Sequence, residues 1–273
     1  MPRIYYHPGQ GGDAISLDGP LSYVGAGSGL RSRNWNRAIT NKAVRGLSLG
    51  VREVKVEVMA YDQAADDLRR AADADNSAKT PGTLTVDGEW NMRCFIVASE
   101  LSEAYYEAVR LKLTLALVDP CWWREKSRHF VTGLDAGGID HPYDYPHDLS
   151  FAVGSGTLDV DSPQGAPCSI TFYGPCTNPY VVIGGNRYEV DVSVNSGYTV
   201  VIDALGSRPT VERIDNQGNR ESVFSYAERD GGLGGGSYAF QPLPHGVSTV
   251  EWSGAFAFDV TWRELDTEPP WAR

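Results

Sequence analysis

The feature that most constrains this chain is the alternation of apolar and polar side chains in many short runs. Val54, Val56 and Val58 alternate with charged residues, and residues 109–118 repeat the pattern with leucines. A period of two places successive side chains on opposite faces of a β-strand. The chain is therefore predicted to be mainly β, with strands that bury one face.

A tight hairpin is the strongest local prediction. The pair Asp87-Gly88 lies between two strand-like runs, 83–86 and 89–97. Asp-Gly suits the two central positions of a hairpin turn because both positions require a positive φ. We predict a two-residue turn there, and we expect residues 99–106 to form a connection to the next strand.

One α-helix is predicted, from Asp62 to about residue 76, with Asp62 as its N-cap. Its apolar residues recur at helical spacing and are mostly alanine, so the helix should lie close to the surface that it covers. The members of this stripe are Ala64, Ala65, Leu68, Ala71 and Ala72.

The second half of the chain has no convincing helix and many short strand-like runs. Strands are predicted over 168–173, 180–183, 187–194, 198–203, 222–227 and 247–262, with turns at 184–186 and 195–197. Regularly spaced short strands over about 100 residues are typical of a β-sandwich or jelly roll.

The charges divide the chain into two parts. Residues 1–126 hold 16 Lys+Arg and 16 Asp+Glu, whereas residues 127–273 hold 8 and 19, so the net charge of −11 belongs to the second part. This predicts an N-terminal domain over 1–126, a linker over 127–150 and a C-terminal domain over 151–273. Excess acid repels phosphates and anionic lipids, which argues against specific nucleic-acid binding and against membrane binding.

The sequence lacks the signals of membrane insertion or export. No stretch approaches the roughly 18 unbroken apolar residues of a membrane helix, and no apolar signal core follows Met1. Cys94, Cys121, Cys168 and Cys176 include no CxxC pair, so free and mostly buried thiols are expected rather than a disulfide or zinc site. Synthesis in a host cytoplasm fits these features.

Candidate chemical sites are weak. The segment 140–148 holds two histidines and three aspartates, but its prolines make it an extended linker rather than a metal-binding helix. The glycine run 231–236 is not followed by the Lys-Ser/Thr of a phosphate loop, and Asp159 with Asp161 could serve a glycosidase only if they flank a sugar. We therefore assign no catalytic, cofactor-binding or metal residue and expect a protein that is not an enzyme.

Tyrosines in the acidic second half leave one alternative open. Flat aromatic rings beside carboxylates can bind a sugar, although core packing accounts for the presence of most such tyrosines. The alternative function is a carbohydrate-binding module attached to an anchoring domain. The tyrosines concerned are Tyr143, Tyr145, Tyr173, Tyr180, Tyr188, Tyr198, Tyr226 and Tyr238.

Several segments, in their order along the chain, resemble the siphophage distal tail protein family of phages and prophages of Gram-positive bacteria. The resemblance covers nearly the whole chain and includes the helix after the valine strand. Its other segments are 86–94 (Val-Asp-Gly-Glu-Trp-Asn-Met-Arg-Cys), 119–123 (Asp-Pro-Cys-Trp-Trp), 143–146, 174–180, 250–262 and 268–271.

The resemblance implies a specific architecture and role. The N-terminal β-sandwich or barrel-like domain would form a hexameric ring around a DNA channel, and the C-terminal domain would be a peripheral galectin-like or jelly-roll sandwich. The ring would be a hub at the virion tail tip, joining the major tail tube protein to the tip or tail-associated lysin protein. A chain of 273 residues leaves no room for the extra binding modules of some relatives, so direct host recognition is not expected beyond a weak glycan contact.

Overall fold

The computed structural model describes residues 3–20, 22–24, 29–33, 35–41, 43–133 and 154–268. These residues pack as two compact units, unit 1 within Met1–Arg124 and Asp266–Arg273, and unit 2 within Glu125–Leu265. Both units are built from antiparallel strands, so the prediction of a mainly β chain is confirmed.

Unit 1 is one antiparallel sheet covered by a helix. The sheet has the order β2-β1-β7-β8-β9-β6-β3, and β4 and β5 form a separate hairpin. The strands are β1 (Ile4–His7), β2 (Ile15–Ser16), β3 (Ser22–Tyr23), β4 (Asn36–Ile39), β5 (Val44–Ser48), β6 (Arg52–Tyr61), β7 (Gly82–Val86), β8 (Trp90–Ala104) and β9 (Ala108–Leu117), with helix α1 (Asp62–Ala78) between β6 and β7.

The valine strand and the helix form as their spacing predicts. Val54, Val56 and Val58 of β6 are buried. Leu68 and Ala72 of α1 belong to the same core, and the other alanines of the stripe pack against it. The N-cap prediction is wrong, because Tyr61 occupies that position and its side chain makes no capping hydrogen bond.

A buried carboxylate ties the start of the chain to the end of the helix. Asp75 is 1% exposed and accepts hydrogen bonds from the Tyr6 hydroxyl at 2.6 Å and from the backbone N–H groups of Gly9 and Gln10, both at 3.0 Å. Three donors compensate for removing this carboxylate from water. The helix therefore fixes β1 in place.

The predicted hairpin forms between β7 and β8. Asp87 and Gly88 have φ values of 53° and 74°, and the Glu89 N–H donates to the Val86 carbonyl at 3.2 Å. The first cross-strand pair beyond the turn is Val86 with Trp90, so the loop contains three residues rather than two. Residues 99–106 were expected to be a connection, and this expectation is wrong because β8 continues to Ala104.

Two segments of the resemblance meet through an ion pair. The Arg93 side chain on β8 donates to Asp119 from Nε at 2.9 Å and from Nη2 at 2.5 Å, and the Arg93 backbone N–H donates to the same carboxylate. The Trp123 indole N–H also donates to Asp119, at 3.3 Å. Asp119 is 8% exposed, so this network fixes the chain where it leaves β9.

Unit 2 contains two larger sheets that enclose a second core, and a two-stranded sheet formed by β13 and β16. One sheet has the order β19-β18-β17-β12-β21-β10 and the other has the order β11-β20-β14-β15. The strands are β10 (Trp122–Phe130), which begins in unit 1, then β11 (Gly154–Val160), β12 (Cys168–Tyr173), β13 (Cys176–Thr177), β14 (Tyr180–Ile183), β15 (Asn186–Glu189), β16 (Ser193–Val194), β17 (Thr199–Asp203), β18 (Thr210–Ile214), β19 (Arg220–Ser222), β20 (Gly246–Trp252) and β21 (Phe258–Asp266).

This arrangement is consistent with the predicted β-sandwich, while the galectin-like detail stays a prediction. The strand predicted over 222–227 is wrong, because residues Phe224–Tyr226 form a 3₁₀ helix that follows β19. The run 247–262 is two strands, β20 and β21, separated by a turn in which Gly254 has a φ of 75°.

The predicted domain limits stay a prediction. Residues 127–130, assigned to a linker by the sequence, belong to β10. Residues 134–150 of the predicted linker lie outside the described residues. No helix in the described ranges is long and apolar enough to cross a membrane.

Candidate assembly surfaces

Unit 1 exposes a hairpin that no other described strand pairs with. β4 and β5 form their own two-stranded sheet, and all nine of their residues are exposed. Ile39 and Val44 are register partners, yet they are 68% and 55% exposed. We call this the hairpin surface and define it as Trp35, Arg37, Ile39, Val44, Arg45 and Leu47.

A second exposed region lies where β8 and β9 extend beyond the core. Residues 97–104 of β8 are exposed on both faces of the strand. Leu101 is 63% exposed, and Tyr106, in the turn that follows, is 95% exposed. We call this the tongue surface and define it as Val97, Glu100, Leu101, Tyr105, Tyr106 and Glu107.

Exposed apolar side chains on paired strands point to a contact with another molecule. Isolated apolar residues are ordinary on a protein surface, but clusters on projecting elements mark interaction sites. Burying one Leu, Ile or Val side chain fully contributes about 1.5 to 3 kcal/mol. The hairpin and tongue surfaces are therefore the candidate assembly sites of unit 1, and neither is among the sites predicted from the sequence.

Unit 2 carries a hydrogen-bonded network on the polar face of its larger sheet. Asp259 on β21 accepts from the Tyr173 hydroxyl at 2.5 Å and contacts His129 Nδ1 at 2.5 Å. The hydrogen bond to Asp259, together with burial, raises the pKa of Tyr173 to about 12. The three side chains connect β10, β21 and β12, which gives the network a structural role.

The glycine run 231–236 borders a cleft in unit 2 of about 540 Å³. Three of the polar side chains in the cleft are engaged by the protein: Gln241 accepts from the Gly234 N–H at 2.8 Å, Asn186 bonds the Tyr238 backbone, and His245 contacts the Val160 carbonyl. A ligand site needs convergent polar groups that are available to the ligand. We therefore assign no ligand to this cleft.

The tyrosines behind the carbohydrate alternative are mostly occupied by protein contacts. Tyr188 is buried and donates to the Gln241 carbonyl at 2.8 Å, and the Arg187 guanidinium stacks on Tyr180 at 3.7 Å from the ring centre. Tyr226 is 55% exposed. Tyr143 and Tyr145 lie outside the described residues. The carbohydrate-binding alternative stays a prediction, and these contacts do not favour it.

The other sequence candidates do not assemble into a site. The segment 140–148 lies outside the described residues. Asp159 is exposed on β11, and within the described ranges no group of three or more His, Cys, Asp or Glu side chains could hold a metal ion.

The four cysteines are free thiols. Burial raises the pKa of Cys94 and of Cys168 to about 12, and raises that of Cys176 to about 11. The thiolate is the reactive form, so these groups are inert near neutral pH. They serve as small apolar side chains, which agrees with the expectation from their spacing.

Comparisons with known proteins show which solved structures have a fold similar to that of this chain. No protein-family model and no curated protein matches the chain. The SPP1 Dit protein, a paradigm of the hub adsorption apparatus in phages that infect Gram-positive bacteria, matches with a TM-score of 0.58 and 13% identity over 97% of this chain and 99% of that chain. A chain of the phage P2 baseplate in its activated conformation with Ca matches with a TM-score of 0.57 and 10% identity over 98% and 100%. The same baseplate with Sr gives the same values.

Proposed function

We propose that this chain is a structural protein of a phage tail and acts as a hub at the tail tip. One observation carries the proposal: its fold is similar, over 97% of the chain, to that of the SPP1 hub protein, and it is also similar to that of a phage baseplate chain. A fold alone does not specify a function. The order of the sequence segments that resemble the distal tail family supports the same role independently.

In this proposal the first half of the chain forms a ring of six copies around a central channel. The exposed apolar side chains of the hairpin and tongue surfaces supply area for self-association. The charge distribution supports the same arrangement, because residues 1–126 carry no net charge whereas residues 127–273 carry −11. Six neutral domains can pack closely, while six acidic domains are best kept at the periphery.

The hub connects two other tail proteins. The major tail tube protein would bind one side of the ring, and the tip or tail-associated lysin protein would bind the other. Phage DNA would pass through the channel without specific binding. The role needs no catalysis, cofactor or metal, and the chain would be made in the host cytoplasm before it joins the virion.

The proposed location can be tested on purified tailed particles that contain this chain. Gold-labelled antibodies raised against the protein should mark the end of the tail remote from the capsid in electron micrographs. Antibodies pre-absorbed with the purified chain provide the control and should remove the label. Label on the capsid or along the tube would contradict the proposal.

A further inference from the structure

The β4–β5 hairpin needs a covering surface. Two-stranded hairpins without further packing are at best marginally stable in water. Within the part of the chain that the structure describes, β4 and β5 pair only with each other, and Ile39, Val44 and Leu47 are all at least half exposed. The described residues thus supply no packing partner for this hairpin.

The charge around the hairpin indicates an acidic partner. Residues 19–52 contain six Lys or Arg and no Asp or Glu, although the whole chain carries a net charge of −11. Arg37 and Arg45 lie on the hairpin itself, and neither has a carboxylate partner among the described residues. An exposed apolar surface with unpaired guanidinium groups fits an apolar surface that carries free carboxylates.

The tongue surface has the complementary composition. Residues 97–107 contain three glutamates and no base, and the paired strand β9 places Arg110 opposite Glu103 and Lys112 opposite Glu100. Glu103 is paired with Arg110 at 3.0 Å, whereas Glu100 and Glu107 have no ion-pair partner within the described ranges. Leu101 and Tyr106 lie beside these free carboxylates and are 63% and 95% exposed.

The two surfaces are attached at opposite ends of one strand. The hairpin leads into Arg52, which pairs with Leu117, while the other end of β6 places Tyr61 beside Ala108, directly after the turn at the tip of the tongue. Ten residues of strand span about 33 Å. Different surfaces that fit each other from opposite ends of a molecule give head-to-tail contacts, and such contacts close into rings when the rotation between copies permits.

We propose that the hairpin surface of one copy docks on the tongue surface of the next copy of this chain. Arg45 is the register partner of Ala38, so Arg37, the neighbour of Ala38 along β4, lies on the opposite face of the hairpin. The two arginines would therefore reach Glu100 and Glu107 from the two faces of the hairpin, and the apolar side chains of the hairpin would pack against those of the tongue. The proposal rests on the proposed hub function and names the contact that assembles the ring. Charge pairing sets the register of the contact, and apolar burial stabilises it.

Charge reversal tests the contact, with mass in solution as the readout. One variant carries Arg37→Glu with Arg45→Glu, and the other carries Glu100→Arg with Glu107→Arg. Each alone should weaken assembly at least about tenfold, because like charges then face each other. An equimolar mixture should assemble again, since the acidic hairpin of one variant meets the basic tongue of the other, and the copies can alternate around a ring of even number.

A matched variant controls for net charge. Arg208→Glu with Arg229→Glu removes two exposed arginines of unit 2 and should leave the assembly unchanged. Circular dichroism melting curves show that each variant is folded. Assembly that survives both reversals, or a mixture that stays dissociated while its components are folded, would overturn the proposed contact but leave the hub function standing.

Two further outcomes are distinguishable. If the hairpin reversal abolishes binding to duplex DNA while the assembled mass is unchanged, the basic hairpin is a nucleic-acid contact and the inference is wrong. If the unaltered chain never self-associates, the proposed function fails, and the inference that rests on it fails as well.

Discussion

Asp75 shows how much of unit 1 depends on a single side chain. Asp75→Ala would leave the Tyr6 hydroxyl and two backbone N–H groups without their acceptor. The Tyr6 hydroxyl is the buried donor of the three, and an unsatisfied buried donor costs about 1 to 3 kcal/mol, so the free energy of unfolding should fall by at least about 1 kcal/mol. Urea unfolding at one fixed protein concentration measures the change.

Asp73→Ala is the matched control for this prediction, because Asp73 lies on the same helix but is exposed. Its free energy of unfolding should stay within about 0.5 kcal/mol of that of the unaltered chain. Equal midpoints for the two variants would contradict the account of how β1 is held.

The cysteines give a prediction about reactivity and pH. Burial raises the pKa of Cys94 and of Cys168 to about 12 in the folded chain, so native thiols should react with a disulfide reagent far more slowly at pH 8 than unfolded thiols. A raised thiol pKa favours folding below the unfolded value of about 9, and this contribution disappears as the pH rises through about 12.

Stopped-flow labelling of the native and the urea-unfolded chain measures this difference. Four thiols should react in urea, and the half-buried Cys176 should be the first to react in the native chain. Native Cys94 or Cys168 reacting at the rate of an unfolded thiol would contradict the burial.

At the scale of single residues, the sequence predicts the roles of some side chains and not those of others. Free thiols follow from the absence of a CxxC pair, and the buried alanines follow from their spacing in α1. The burial of Asp75 does not follow from the sequence, because its donors come from β1 and the next loop, nearly 70 positions away. A polar residue on a helix has no local signal that tells a buried position from an exposed one.

The β7–β8 turn provides a test at the scale of elements. Gly88 has a φ of 74° and nothing within 4 Å of an added Cβ, so Gly88→Ala adds conformational strain without a clash. The variant should lower the free energy of unfolding by about 1 to 2 kcal/mol. Thermal or urea unfolding at fixed protein concentration measures it.

Gly206→Ala is the control, since Gly206 has no positive φ and an added Cβ would meet its nearest atom at an ordinary 3.6 Å. This variant should be neutral or slightly stabilising, because alanine restricts the unfolded chain. If Gly88→Ala were equally neutral, the turn would not depend on left-handed geometry.

The elements that sequence periodicity missed share one property. β6, β9 and β12 bury one face and show clear alternation, so they are predicted. The hairpin of β4 and β5 and the far half of β8 are exposed on both faces. Strands without a buried face in their own chain carry no two-residue pattern, and these are the elements that form the candidate assembly surfaces.

The whole chain should respond to salt if oppositely charged surfaces hold it together. Screening weakens contacts between exposed charges as the Debye length falls from about 10 Å at 0.1 M salt to about 3 Å at 1 M. The assembled fraction at a fixed low protein concentration should therefore decrease as salt increases. Sedimentation velocity over this range measures the fraction, and assembly that strengthens steadily with salt would indicate a contact governed by apolar burial alone.

At the scale of the whole molecule, the sequence predicts the fold in outline but does not predict the residues that make contacts between copies. The mainly β class and the order of segments are visible in the sequence, and the two-unit fold agrees with solved tail-hub and baseplate structures. The contact residues are not visible, because they depend on which exposed strands meet a second copy. The acid-free stretch 19–52 is the one sequence signal that could have located them.

The central claim is that this chain assembles into a ring. Size-exclusion chromatography with light scattering, followed by negative-stain imaging of the same peak, tests it most directly. The account predicts a mass of about 179 kDa, six times the 29.8 kDa of one chain, and particles with a central hole. A mass of 29.8 kDa at every protein concentration, with no ring-shaped particles, would contradict it.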